Sequence, residues 1–331
     1  MYLANEKRYS NLPVRRVGNT GLVLPVVSLG LWHHFDSSSP YYERKNLILQ
    51  AFDRGGIFSF DCADRYGSPE VGSAESLLGN LLRAELKPYR DELVITTKVG
   101  FRTGPGPFGE FLSRKSILQS VEHSLQRLGT DYVDIYYAHR FDPQTDLFES
   151  LQALDQVVRE GKALYIGISN FDSAQTKRAV EIFKDLGTPF TVNQVSYNML
   201  NQSVEKDGLL ATLKEAKKGL VAYGPLAEGL LSARYLKRIP EDFKIHRTSQ
   251  AVFDNGTAAV EQKLHALNKI ASARGGQNLS QLALAWLLRN EVVASVIIGT
   301  TSLKHLEDDL GAVKNLAFSK AELQQLTEIL Q

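Results

Sequence analysis

The sequence is poor in cysteine and has no surplus of charge of either sign. Its 331 residues include one Cys, 38 Lys plus Arg and 37 Asp plus Glu. The single Cys62 excludes an internal disulfide and a multi-cysteine metal site, which fits a reducing compartment. A net charge of +1 lacks the basic surplus that nucleic-acid binding usually needs. We therefore expect no nucleic-acid partner.

Long apolar runs are also missing. The longest, such as the run from Leu282 to Leu288, are far shorter than the ~20 residues that a membrane-spanning helix needs. The N-terminal residues MYLANEKRYS have no apolar stretch after their charges, so they do not read as a signal peptide. These absences predict a cytoplasmic protein without a membrane partner. The 43% of hydrophobic residues is enough for a large core.

Eight short apolar runs alternate with amphipathic stretches along the chain. The runs are rich in β-branched residues, as in buried parallel strands, and the stretches between them have helical spacing. The runs begin at Val26, Ile57, Glu92, Tyr132, Leu164, Phe190, Leu220 and Val293. This alternation predicts an α/β protein, a (β/α)8 barrel, as a single domain over residues 1–331. The alternative, a doubly wound sheet, lacks a Gly-x-Gly-x-x-Gly after the first run.

Both ends of the chain add elements to the predicted barrel. The N-terminal segment VRRVGNTGLVLP predicts a β-hairpin that turns at Asn19–Gly21 and caps the barrel bottom. At the other end, helical spacing predicts two extra helices, near residues 303–313 and 320–330.

Polar side chains collect where the predicted strands end, the face on which barrels of this type carry their active sites. Lys98 beside Tyr66 would favour the phenolate and lower the tyrosine pKa from its usual value of about 10. Asp61 could pair with Lys98, and His139 could donate a hydrogen bond to a carbonyl oxygen. The set predicts proton donation from Tyr66 to an oxygen whose carbon receives a hydride. Cys62, which directly follows Asp61, is interpreted as a small buried residue.

Seven segments, in order and over nearly the whole chain, resemble signatures of the aldo-keto reductase family. They are FDCADRYG, ITTKVG, AHR, GISNF, NQVSYN, AYGPLAEGLL and IIGTTSLKHLEDDL, which begin at Phe60, Ile95, Ala138, Gly167, Asn193, Ala222 and Ile297. Within the family, the chain looks most like the branch of bacterial L-glyceraldehyde 3-phosphate reductases and potassium-channel β subunits. The segments LWHHF and SYNMLNQSVEKDGLL look like the bacterial reductases in particular.

The resemblance implies a barrel that binds NADPH across its C-terminal rim, with no metal. It implies a catalytic tetrad of Asp61, Tyr66, Lys98 and His139. The implied cofactor-binding residues are Leu31, Trp32, Asp61, Ser169, Asn170, Gln194, Tyr223, Gly224, Pro225, Leu226, Ala227, Gly229, Arg234, Arg247, Gly299, Thr301, His305, Asp308 and Asp309. The expected substrate pocket comprises Trp32, Arg65, Tyr66, Phe101 and Arg140, with the two arginines as candidates to engage an anionic group.

The last of these segments departs from the family pattern. His305 stands where Gln or Arg is usual, and Asp308–Asp309 where Glu–Asn is usual. These residues belong to the adenosine end, so they leave open whether NADPH is preferred over NADH. Thr301, Lys304 and Arg247 remain candidates for contact with a 2′-phosphate.

The function that follows is NADPH-dependent reduction of small aldehydes, such as glyceraldehyde 3-phosphate or methylglyoxal-like compounds, to alcohols. A first alternative is a redox-sensing NADP-binding subunit, against which His139 counts because channel subunits carry Asn there. A second is a metal-dependent isomerase or lyase, which needs carboxylates and histidines where this chain has Ser169, Asn170, Asn193 and Gln194. Assembly as a homo-oligomer is left open.

Overall fold

A closed barrel of parallel strands organises the molecule. The computed structural model describes residues 2–245 and 250–331. Within these residues eight parallel strands form the barrel in chain order, and the last pairs with the first. The strands are β3 (Val27–Gly30), β4 (Ser59–Asp61), β5 (Val94–Val99), β6 (Val133–Ala138), β7 (Ala163–Ser169), β8 (Phe190–Ser196), β9 (Gly219–Tyr223) and β10 (Val293–Ile298). The (β/α)8 prediction is confirmed, with a strand in every predicted run.

Helices surround the barrel in the positions that the helical spacing predicts. They are α1 (Tyr41–Asp53), α2 (Ser73–Arg83), α3 (Arg114–Leu128), α4 (Leu147–Arg159), α5 (Ser173–Leu186), α6 (Ser203–Lys206), α7 (Leu209–Glu215), α8 (Thr257–Ala273), α9 (Leu279–Leu288), α10 (Leu303–Leu310) and α11 (Lys320–Leu330). Local signals define several of their starts, since Asp172, Asn278 and Ser319 each form a capping box that satisfies free backbone N–H groups. In the described part of the chain, every helix is too short or too polar to span a bilayer.

The N-terminal hairpin closes the bottom of the barrel, as predicted. Strands β1 (Val14–Arg16) and β2 (Val23–Pro25) pair antiparallel. Val17 and Leu24, at the hairpin, join a buried apolar cluster with Val192 and Ala294 from the barrel strands. Gly18 has a positive φ of 55°, and a Cβ on it would lie 1.9 Å from the carbonyl oxygen of Lys217. A glycine is therefore required where the hairpin meets the barrel.

Candidate active site

Three of the four predicted tetrad side chains meet at one buried ammonium group. Lys98 lies on β5 and is fully buried. Its Nζ donates to Asp61 Oδ2 at 2.6 Å, to the carbonyl oxygen of Cys62 at 2.7 Å and to Tyr66 Oη at 3.1 Å. Because β4 and β5 are paired neighbours and Tyr66 lies in the loop after β4, barrel closure brings these groups together.

Two further residues, besides Lys98, donate hydrogen bonds to the Asp61 carboxylate. Thr96 donates its hydroxyl to Asp61 Oδ1 at 2.8 Å, and Gln194 Nε2 donates to the same oxygen at 2.8 Å. Gln194 comes from β8, which is 133 residues away in sequence. The family resemblance implies that Gln194 binds the cofactor, and it does not indicate this contact with Asp61. This donor set keeps the carboxylate oriented towards Lys98.

His139, the fourth tetrad residue, follows β6 and packs beside the phenol. Its ring meets the Tyr66 ring edge-on with 5.8 Å between centroids, and the Phe101 ring edge-on at 4.6 Å. Its backbone N–H donates to the carbonyl oxygen of Val99 at 2.8 Å, and its carbonyl oxygen accepts from Asn170 Nδ2 at 2.9 Å. The backbone at this strand end is therefore fixed from both sides.

Burial and neighbouring charges shift the pKa values of Lys98 and Tyr66 in opposite directions. Burial alone would lower the pKa of Lys98, but the neighbouring Asp61 carboxylate and Tyr66 phenol outweigh it, so the pKa is raised and the ammonium stays charged. Burial raises the pKa of Tyr66 to about 12, although the Lys98 cation works in the opposite direction. The expectation of a lowered tyrosine pKa is therefore wrong in its net direction. A phenol with this pKa is protonated at neutral pH and has a proton to give.

A cavity of about 890 Å³ opens over these residues on the C-terminal face of the barrel. Most of the predicted site residues line it. They are Trp32, Asp61, Arg65, Tyr66, Phe101, His139, Asn170, Gln194, Tyr223, Gly224, Pro225, Leu226, Gly229, Arg234, Gly299, Thr301, His305, Asp308 and Asp309. Three of the four predicted tetrad residues thus share one wall with most of the predicted cofactor-binding residues.

Five predicted site residues that the structure describes do not line the cavity. Leu31, Lys98, Ser169 and Ala227 are completely buried behind its wall. Ser169 donates its hydroxyl to the backbone oxygen of Gln194 at 2.7 Å, so it supports the wall from behind. Arg140 turns away to contact Glu110. Arg247 lies outside the described residues.

Some lining residues were not predicted as members of the site. Asn278 and Ser280, at the start of α9, reach the cavity although about 50 residues separate them from β9. The capping-box pattern Asn278-x-x-Gln281 marks this helix start in the sequence, but it carries no information on which face the start will reach. Glu228 also lines the cavity. It has a positive φ of 56°, within the tight turn that follows β9.

Two of the predicted cofactor-binding residues form a polar contact at the cavity wall. Tyr223 donates its hydroxyl to Asn170 Oδ1 at 2.8 Å. Asn170 has a positive φ of 59°, a conformation that asparagine tolerates better than most residues. The Tyr223 ring and the Asn170 amide are thereby fixed relative to each other.

Cys62 is fully buried next to the tetrad, and burial raises the pKa of its thiol well above the usual value. The neutral thiol is a poor nucleophile, so the interpretation of Cys62 as a small packing residue agrees with its surroundings.

A second buried carboxyl group lies in the loop that carries Tyr66. Asp64 is buried and accepts a hydrogen bond from the Ser120 hydroxyl at 2.8 Å, while Glu75 pairs with Arg127 at 2.7 Å. Burial, followed by the negative charge of Glu75, raises the pKa of Asp64 to about 8 against the opposing effects of Ser120 and Arg127. Asp64 therefore carries a proton at neutral pH in the folded chain.

This proton makes stability depend on pH. Between about pH 4 and pH 8, the folded chain keeps the proton on Asp64, whereas the unfolded chain has released it. The free energy of unfolding therefore falls as pH rises through this window. We expect Asp64→Asn to remove this part of the slope, with an upper limit on the order of 5 kcal/mol. Urea denaturation at a series of pH values measures it, with exposed Asp185→Asn as the control. An unchanged slope in Asp64→Asn would show that the buried carboxyl is ionised throughout.

Comparisons with known proteins agree with this fold and identify the family. The sequence profile of the Aldo/keto reductase family matches residues 26–331. The chain is 43% identical over 332 residues to the L-glyceraldehyde 3-phosphate reductase of Escherichia coli (strain K12), with 99% of this chain and 95% of the relative covered. It is 34% identical over 331 residues to the putative voltage-gated potassium channel subunit beta of Schizosaccharomyces pombe, with 97% and 94% covered.

A solved structure has the same barrel. The aldo-keto reductase AKR11C1 from Bacillus halodurans, in its holo form, superposes with a TM-score of 0.79 over 97% of both chains at 23% identity. The fold and the family match define an oxidoreductase built on a (β/α)8 barrel. The chain belongs to the aldo/keto reductase family.

Proposed function

We propose that this protein reduces the carbonyl group of small aldehydes to alcohols, with NADPH as the hydride donor and Tyr66 as the proton donor. The observation that carries the proposal is the Tyr66 hydroxyl at the cavity wall, 3.1 Å from the buried Lys98 ammonium. The family and the name of the E. coli relative support aldehyde reduction as the reaction.

Tyr66 would act as the general acid. Its phenol is protonated at neutral pH, and the Lys98 cation stabilises the phenolate that remains after the proton leaves. Asp61 holds Lys98 in place, and the imidazole of His139 lies next to the phenol, where it can contact the substrate oxygen. These residues polarise the carbonyl oxygen, and a bound nicotinamide would supply the hydride to the carbonyl carbon.

The cavity fits a dinucleotide in size and in the chemistry of its wall. Its volume of about 890 Å³ is at the upper end of the range for ligand pockets. Asn170 and Gln194 would hold the carboxamide, with Tyr223 beneath the nicotinamide ring. The backbone turn from Gly224 to Gly229, with Arg234, would hold the pyrophosphate. In barrels of this type phosphate sites are frequently built by the loops after the seventh and eighth strands, here β9 and β10.

The adenosine end supports NADPH through Thr301 and Lys304. Both lie at the start of α10, where the helix dipole and the lysine cation favour a phosphate group. Asp308 and Asp309 oppose this with negative charge. Burial, with the nearby Asp308, raises the pKa of Asp309 to about 7, so its negative charge is only partly present at neutral pH. Thr301, Lys304 and the start of α10 therefore support a 2′-phosphate, and the reduced charge of Asp309 weakens the opposition to it.

An NADPH-oxidation assay tests the proposal. The purified chain is incubated with NADPH or NADH and with glyceraldehyde 3-phosphate, glyceraldehyde or methylglyoxal, and the absorbance at 340 nm is followed. We expect turnover with aldehydes, and a larger kcat/KM with NADPH than with NADH. Protein that binds NADPH but oxidises it with none of these aldehydes would contradict the proposal. Such a result would favour the redox-sensing subunit instead.

We further propose that residues 1–331 form one domain and that the protein acts in the cytoplasm on small molecules. The first statement is supported by the barrel order, and the second by the single cysteine, which fits a reducing compartment.

A further inference from the structure

Two arginines contact the same aromatic ring beside the tetrad, yet their surroundings differ. The guanidinium carbon of Arg65 lies 4.9 Å from the centroid of the Phe101 ring, and that of Arg140 lies 4.5 Å from it. The sequence suggests both as partners for an anionic substrate group and provides no means to choose between them.

The Arg140 guanidinium is already engaged within the protein. Its Nε donates to the carbonyl oxygen of Gly100 at 3.1 Å, and its Nη2 forms an ion pair with Glu110. Glu110 also pairs with Arg102 at 2.7 Å. Arg140 does not line the cavity. Its charge serves to anchor the loop after β5.

The Arg65 guanidinium has no such engagement. Across residues 2–245 and 250–331, the Arg65 side chain makes no hydrogen bond or ion pair, and its contact is the face of Phe101. It is half-buried and lines the cavity. A cation that is partly removed from water without a counter-charge is costly unless a ligand supplies one.

The position of Arg65 relates it to the reacting groups. It directly precedes Tyr66, and the ring it covers lies 4.6 Å from the imidazole of His139. Asp61 is the acidic residue of the cavity wall that lies nearest to Arg65 in sequence, and its carboxylate is already paired with Lys98. The other carboxylates of the wall, Glu228, Asp308 and Asp309, lie on the β9 turn and on α10, at the proposed cofactor end. The positive charge of Arg65 therefore faces the substrate end of the cavity.

We propose that Arg65 binds an anionic group of the aldehyde substrate and thereby determines specificity for short aldehydes that carry a phosphate or a carboxylate. A guanidinium presents a planar set of donors that matches two oxygens of either anion. Phe101 holds this plane from one face, so the donors stay directed into the cavity. This inference rests on the proposed aldehyde reduction and adds the substrate class to it.

The test compares charged and neutral aldehydes of similar length. Glyceraldehyde 3-phosphate is paired with glyceraldehyde, and succinic semialdehyde with butanal, so that phosphate and carboxylate are distinguished. In Arg65→Met we expect kcat/KM for at least one charged substrate to fall roughly 10- to 100-fold, as for a lost charge-assisted hydrogen bond. The neutral partner should change less than about 3-fold, and Arg65→Lys should recover part of the loss.

Arg140→Met is the matched control, because it removes the same group from the same aromatic ring. It is expected to leave the charged-to-neutral ratio of kcat/KM at the wild-type value, whatever it does to stability. A ratio that is unchanged in Arg65→Met, while neutral aldehydes are turned over, would overturn the role of Arg65 and leave the proposed function standing. Failure of the wild-type chain to reduce any of the four aldehydes would overturn both.

Discussion

The Tyr66→Phe variant is expected to lose about 100- to 10,000-fold in kcat for aldehyde reduction, the usual contribution of a positioned general acid. The substitution deletes the hydroxyl that lies 3.1 Å from Lys98 Nζ and leaves the ring that packs against His139 and Trp32. Cofactor affinity should change little, since the ring remains. Steady-state kinetics at saturating NADPH and a fluorescence titration with NADPH measure the two effects separately.

The control for this variant is Tyr165→Phe. Tyr165 lies on β7, and its hydroxyl approaches Gly21 of the hairpin at the barrel bottom. Removal of that hydroxyl should leave kcat near the wild-type value. A Tyr66→Phe variant with near-normal kcat would show that the proton comes from another group, and His139 would then be the next to replace.

Lys98→Met is expected to reduce both activity and stability. The substitution leaves the buried Asp61 carboxylate without its cation, and loss of one partner of a buried ion pair typically costs about 3–5 kcal/mol of unfolding free energy. It also removes the charge that opposes the burial-induced rise in the pKa of Tyr66, so the phenolate becomes harder to form. Loss of such an electrostatic contribution commonly lowers kcat by about 100- to 1,000-fold. Thermal denaturation and kcat are the two measurements.

A double variant separates these two effects. In Lys98→Met with Asp61→Asn, the uncompensated charge is absent, so we expect much of the lost stability to return. The amide at position 61 can still accept hydrogen bonds from Thr96 and Gln194. Activity should remain low, because the cation beside the phenol is still missing. Recovery of activity together with stability would mean that Lys98 serves folding and has no part in the reaction.

The positions of the tetrad residues could be predicted from the sequence, whereas the pKa of Tyr66 could not. The motif order correctly predicted that Asp61, Tyr66, Lys98 and His139 would meet at the strand ends, because strand order in a barrel follows chain order. It could not predict the net pKa of Tyr66. The sequence names the charged neighbour that lowers this pKa, whereas the depth of burial that raises it depends on the whole fold.

The two arginines illustrate the same limit. Arg65 directly precedes Tyr66, and Arg140 directly follows His139. Nothing in their local sequence shows which of them reaches the cavity. The difference arises from Glu110, which the loop after β5 brings to Arg140 and not to Arg65. Similarly, the Ser169 hydroxyl donates to the backbone of β8 and does not line the cavity, whereas the next residue, Asn170, does.

The sequence by itself determined the barrel and the capping hairpin, because these depend on short-range periodicity and on turn signals a few residues long. Its motifs also supplied the proposed tetrad. Tertiary structure alone decided that Gln194 holds Asp61 across 133 residues, that Tyr66 stays protonated, and that Arg65 rather than Arg140 faces the cavity. Each of these depends on burial and on which distant side chains become neighbours. Such properties exist only once the chain has closed into the barrel.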